Sequence, residues 1–214
     1  RGIDWKNIEM TDSQQQSASP SSVAAGFCLI DGWLKNVKQV ASPNYDQRPA
    51  GSIIDLLVVH CIALPPKQFG GKGIEQLFMN QLDPDEHPYY RGIADLKVSA
   101  HALIRRTGEI IQFVNFDQRA WHAGQSCYQG RNCCNDFSIG IELEGTDQDP
   151  YELIQYQTLV AMSAALIAHY PALTADRIAG HDTVAAGRKT DPGQGFDWPF
   201  FQTELATVID QGGS

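Results

Sequence analysis

Six histidines are spread along the chain, at His60, His87, His101, His122, His169 and His181. The imidazole matters because it is the commonest metal-ligating side chain and titrates near neutrality. Two of the six have ordinary explanations. His87 sits in the polar stretch DPDEHPYY, and His169 falls in the last turn of an expected helix, where a cation suits the helix dipole. His60 differs, because it closes the apolar run IIDLLVV, where a polar side chain must be paired or face a cleft. The densest polar segment is GHDTVAAGRKTDPG, residues 180–193. Lys189 and Asp191 stand at i and i+2 there, so in an extended segment they face one side. A solvated loop with a surface ion pair accounts for that composition equally well. His60, His181 and Asp191 together make two imidazoles and one carboxylate, a common recipe for catalytic zinc with one position left for water. On spacing alone His101 and His122 serve as ligands just as well. The H-E-x-x-H pattern of helix-borne zinc proteases is absent.

Such groups need a frame. The run from Ile53 to Val59 is short, apolar and rich in β-branched residues, which predicts a buried central strand ending at His60. Val98 to Ile104 and Glu109 to Val114, joined across RRTG, predict a β-hairpin turned by Gly108. In Phe137 to Leu143, alternation puts Phe137, Ile139, Ile141 and Leu143 on one face of a strand and Glu142 on the other. A helix is expected from Glu152 to Tyr170, stopped by Pro171. Shorter helices are expected over Gly73 to Leu82 and after Asp197, with Pro199 in the first turn. Residues 27–40 carry apolar side chains at helix-like spacing before the loop SPNYDQRPAG. The expected class is α/β (α+β): one domain with a central mixed β-sheet flanked by helices. It spans residues 27–210, behind an extension, 1–26, whose Ser/Gln-rich part TDSQQQSASPSSVAA is expected to be disordered.

Composition bounds the function. A length of 214 residues suggests one domain, and 43% hydrophobic with 19% charged residues is ordinary for a soluble protein. A net charge of −9 argues against gripping nucleic-acid phosphates, and no apolar run is long enough for a membrane span. Five cysteines without a C-x-x-C pair speak against a disulfide framework or a four-cysteine zinc site.

Several motifs, in order, carry a resemblance: DGWL at Asp31, SPNYDQRP at Ser42, LLVVH at Leu56 with LPP and FGG after it, and VSAHALIRRTGEI at Val98. RAWHAG at Arg119, CNDFSIGIELEG at Cys134 and GRKTDPG at Gly187 complete the set. From about Leu29 to Val208 the chain resembles the AmpD-type cytoplasmic anhydro-N-acetylmuramoyl-L-alanine amidases of cell-wall recycling, in the amidase and peptidoglycan-recognition superfamily. The resemblance implies a peptidoglycan-recognition-protein-like amidase fold, one Zn²⁺ per chain, an anhydro-muropeptide substrate, a cytoplasmic location, and no membrane or obligate protein partner. By position, His60, His181 and Asp191 match the zinc ligands. Glu142 matches the residue that activates water, and Lys189 the one that stabilises the oxyanion. His101, His122, Lys97 and Trp121 are expected on the substrate side of the cleft. The chain departs from its relatives at Cys61, where Asn is common, at Cys133, where a basic residue is common, at Lys97, which replaces Arg, and at Ala100, where more distant relatives have Tyr. The alternatives are a recognition module that binds without cutting and an envelope amidase acting on intact wall.

Overall fold

The computed structural model describes residues 27–212, so the expectation of disorder for the N-terminal extension lies outside the described residues. The strands are β1 (Leu29–Ile30), β2 (Trp33–Leu34), β3 (Lys38–Gln39), β4 (Tyr45–Asp46), β5 (Leu56–Ile62), β6 (Ala102–Ile104), β7 (Ile110–Gln112), β8 (Arg119–Ala120), β9 (Cys127–Tyr128), β10 (Arg131–Asn132), β11 (Ser138–Glu144) and β12 (Ile178–Gly180). The helices are α1 (Gly73–Phe78), α2 (Leu153–His169), α3 (His181–Val184) and α4 (Trp198–Gly212). Six strands form the central mixed sheet in the order β12-β5-β11-β6-β7-β3, with β5 parallel to both its neighbours and β6–β7 antiparallel. The molecule is a single-domain α/β fold with helices flanking this sheet.

Alternation in β5 and β11 sorts the two faces. Leu57 and Val59 join Ile139, Ile141 and Leu143 in a cluster closed by Leu159, Val160 and Leu166 of α2 and Phe201 and Leu205 of α4. The opposite face of β5 presents Leu56, Val58 and His60, and these align with Ser138, Gly140 and Glu142 of β11. Leu56 and Val58 are covered there by Ala123, Cys134, Phe137 and Val184 of α3; Phe137 precedes the strand and so lies on this face, not with Ile139 as alternation puts it. The helix pair thus seals one side, and the polar column of β11 lies under loops on the other.

The long helix stands close to its expected bounds, with Glu152 and Gln155 forming a reciprocal cap at its start. The hairpin turns at Gly108, φ +82°, as expected, but its strands are shorter than expected, Ala102–Ile104 and Ile110–Gln112. Three further expectations shift. Residues 27–40 form short strands rather than a helix, because Asp31 and Gly32 both take positive φ and make a two-residue turn between β1 and β2. The central strand starts at Leu56 and runs to Ile62, which leaves Ile53 61% exposed and puts His60 inside the strand. Helix α1 stops at Phe78, ahead of Asn80 at φ +58°.

One buried ion pair pins the loop beside α1. Glu144 is 2% exposed and accepts from Arg105 Nη1 at 2.9 Å, Gly70 N–H at 2.6 Å and Arg106 N–H at 3.2 Å. Arg105 also reaches Glu75 of α1 at 3.0 Å. Replacing Arg105 with Leu leaves a buried carboxylate short of its cation, so unfolding in urea at neutral pH should show a loss of about 3–5 kcal/mol.

Candidate metal centre and active site

Three parallel strands end side by side. His60 in β5 is the Cα partner of Glu142 in β11, while β12 pairs Gly180 with Val59, so His181 follows directly beside His60. The carboxyl ends of parallel strands are where open α/β sheets place ligands. The loop carrying Asp191 is fastened from two directions: Asp182 N–H donates to the Asp191 carbonyl at 2.8 Å, and the Tyr151 hydroxyl donates to the Pro192 carbonyl at 2.8 Å. Gly193, at φ +79°, lies so close to the loop after β11 that a Cβ would stand 2.1 Å from the Asp147 carbonyl oxygen. Only glycine permits that approach.

The donor atoms form a near-equilateral triangle. His60 Nδ1 and His181 Nδ1 are 3.0 Å apart, and Asp191 Oδ2 lies 3.2 Å from the first and 3.1 Å from the second. Hydrogen bonds cannot satisfy all three edges. Two Nδ1–H groups on one carboxylate leave two donors face to face, and two bare Nδ1 atoms leave three lone pairs converging. A cation resolves the conflict, since tetrahedral ligands at about 2.0–2.1 Å stand about 3.3 Å from one another. The protonation states suit one as well. Burial holds the His60 imidazole down to about 4, helped by His181 and Lys189 and opposed by Asp191. Burial alone would raise the Asp191 carboxyl, but hydrogen bonds to His181 and His60 dominate and hold it well below the usual carboxylate range. A neutral His60 imidazole beside an ionised Asp191 carboxylate suits metal binding, which needs deprotonated ligands.

Glu142 stands next to this triangle, and its Oε2 is buried without a hydrogen-bond partner. Burial first, and then the charge of Asp191, push its carboxyl well above the ordinary range, with Lys189 opposing. A carboxyl so placed binds a proton more tightly than an exposed one, which strengthens it as a base. His60, His122, Glu142, His181, Lys189 and Asp191 line one end of a 310 Å³ cleft, and Leu77, Phe78, Ile93, Leu96 and Val98 line an apolar wall. The structure therefore brings together His60, His181, Asp191, Glu142 and Lys189, with His122 behind His60.

The remaining expected substrate contacts are placed elsewhere. His101 is 0% exposed: its Nδ1 accepts from Gly140 N–H at 2.9 Å, which leaves a proton on Nε2 for the Gln118 carbonyl at 3.0 Å. Both ring nitrogens are engaged by backbone, so the residue acts as a strut between β6 and β11. Lys97 is exposed, and neither it nor Trp121 is among the cleft's lining residues. His87 accepts from Tyr89 N–H at a turn. Cys61 does line the cleft, but burial pushes its thiol up to about 12, so it stays protonated. All five cysteines are free. Ile93 and Leu96, in the wall, went unmarked in the sequence, where GIADLK carries neither helical nor alternating periodicity. Ser138 was legible only as part of the S-x-G-x-E-x-E alternation opposite the apolar face of β11.

The family described as N-acetylmuramoyl-L-alanine amidase matches residues 50–194. The 1,6-anhydro-N-acetylmuramyl-L-alanine amidase AmpD of Salmonella typhimurium (strain SL1344) is 58% identical over 175 residues, 82% of this chain and 93% of that protein. Among solved structures, a selenomethionine derivative of AmpD is similar with a TM-score of 0.80 at 55% identity, over 85% of this chain and 99% of that one. AmpDh3 of Pseudomonas aeruginosa in complex with anhydromuramic pentapeptide is similar with a TM-score of 0.56 at 27% identity, over 73% of this chain and 61% of that one.

The buried histidines set a pH dependence for the metal-free protein. Burial also lowers His101, to about 3, with Arg48 adding to the effect. The unfolded chain takes up protons near 6.5 while the folded one resists until about 4 and 3, so stability falls as the solution is acidified through this window. Urea unfolding should show lower stability at pH 5 than at pH 7, with about 2 kcal/mol lost through each of these two residues, a loss that the lowered His122 deepens and the raised Glu142 partly offsets.

Proposed function

Since the chain belongs to the N-acetylmuramoyl-L-alanine amidase family, we propose that it hydrolyses the amide between the lactyl group of muramic acid and L-alanine in 1,6-anhydro-muropeptides. In that reading it serves peptidoglycan recycling and works in the cytoplasm. Among the described residues, no helix is long and apolar enough to cross a membrane. The observation that carries the proposal is the donor triangle with the buried, unpartnered Oε2 of Glu142 beside it.

His60, His181 and Asp191 would hold one Zn²⁺, for which two nitrogens and one carboxylate oxygen are a familiar catalytic set. Zinc there supplies Lewis acidity towards water and towards a carbonyl oxygen. Glu142 takes the proton of the attacking water on its free oxygen and returns it to the departing alanine nitrogen. Its raised proton affinity strengthens it as the base of the first half. Lys189, on the cleft rim, places an ammonium where the scissile carbonyl oxygen gathers negative charge. The wall of Leu77, Ile93, Leu96 and Val98 offers an apolar surface to the lactyl and alanyl methyl groups and excludes water from that side. A recognition module without catalysis needs none of this, and a buried Glu142 without a partner would only weaken one.

Product analysis tests the reading. Incubation with an anhydro-muropeptide should yield the anhydromuramic sugar and a free peptide beginning with L-alanine, at a higher kcat/KM than for intact wall fragments. A preference for intact wall would favour an envelope amidase, and no cleavage of either a binding module. Glu142→Gln should lower kcat by about 10²–10⁴ while zinc content stays near one per chain, and near-normal turnover would remove Glu142 from its role. Lys189→Ala should cost about 10²–10³ in kcat.

A further inference from the structure

Both imidazoles of the triangle turn Nδ1 inward, which requires each to carry its proton on Nε2, and one dipeptide meets both of those protons. His60 Nε2 lies 2.9 Å from His122 Nδ1, and His181 Nε2 lies 3.1 Å from the carbonyl oxygen of Ala123. A carbonyl can only accept, so it fixes His181. An imidazole nitrogen can accept or donate, so what His122 does to His60 depends on where His122 holds its own proton. The far side of the ring decides this. His122 Nε2 is 3.1 Å from Ser138 Oγ, and the Ser138 hydroxyl is committed as a donor to the Cys134 carbonyl at 2.6 Å. Ser138 therefore accepts from His122 Nε2–H, which leaves His122 Nδ1 bare. We propose that His122, oriented by Ser138, is the positioning residue that sets the tautomer of His60 and so turns its Nδ1 lone pair towards the cation; this rests on the metal reading of the triangle.

Two further observations show a built arrangement. The His122 ring lies over Gly140, where a Cβ would come within 2.4 Å of the ring, so the strand carries glycine where the imidazole must pass. Asn135 Oδ1 accepts from the backbone N–H of Ala123 at 2.8 Å and of His122 at 3.3 Å, holding the dipeptide as a unit. Were His122 to carry its proton on Nδ1 instead, it would donate to His60 Nε2, move the His60 proton to Nδ1, and close the site to a cation.

The test reads tautomers and affinity, not turnover. In the metal-free protein, ¹⁵N chemical shifts should show His60 and His122 both protonated on Nε2; protonation of either on Nδ1 would overturn the proposal. His122→Phe keeps the ring and removes the acceptor, and should weaken zinc binding about 10–100-fold in a competitive chelator titration. His122→Asn, with an acceptor at the Nδ1 position, should recover most of that loss, whereas an unchanged affinity in His122→Phe would sink the proposal. His60→Ala separates the two readings: if it binds zinc as tightly as the wild type, the metal site itself is misplaced.

Discussion

The parallel register between β5 and β11 is the constraint on which the site depends. It sets His60 beside Glu142, Val58 beside Gly140 and Leu56 beside Ser138, on one face over its whole length. A slip of one residue would turn every side chain of β11 to the opposite face, burying Glu142 against the helices and bringing Ile141 to the cation site. That slip is opposed by Ile139, Ile141 and Leu143, each essentially fully buried under α2 and α4. The apolar face of the strand thus holds the register, and its polar face uses it.

Two carboxylates of that polar face show how neighbours divide one chemistry into two roles. Glu142 and Glu144 are two residues apart on β11 and both buried. Glu144 is met by a guanidinium and two backbone N–H groups and so ties down the loop at Gly70. Glu142 has no such company and sits near another carboxylate, which keeps its proton affinity high. Environment, not residue type, separates the strut from the carboxyl proposed for proton transfer.

Most of the frame was legible from the chain because it rests on local signals. Alternation located β11 and the side of Glu142, Gly108 located the hairpin, and the apolar period with Pro171 located α2. The helix-like spacing over residues 27–40 gives no helix because the Asp31-Gly32 pair, a turn signal written in two residues, breaks it into strands. At the site, His60 stood out because a polar group ended an apolar run. The choice among four histidines did not follow from spacing, since His101 and His122 are told apart from ligands only by what their ring nitrogens meet: Gly140 and Gln118 for one, His60 and Ser138 for the other. Hydrogen-bond direction across residues far apart in sequence leaves no periodic trace. The SPNYDQRP motif likewise looked like loop, yet its Arg48 donates to the carbonyls of Asn135, Asp136, Phe116 and Ser138 and clamps the entry to β11.

The sheet order also governs how the molecule comes into being on the ribosome. Strand β5 emerges early, yet its two partners are residues 138–144 and 178–180, far downstream. During synthesis at about 5–20 residues per second, this largely apolar strand waits several seconds with both edges open. Pairing between distant segments is intrinsically slow, so the nascent chain passes through a stage in which LLVV is exposed and unpaired. The strand that later carries His60 into the donor triangle is thus the one most in need of a chaperone's cover while the rest of the chain is being made.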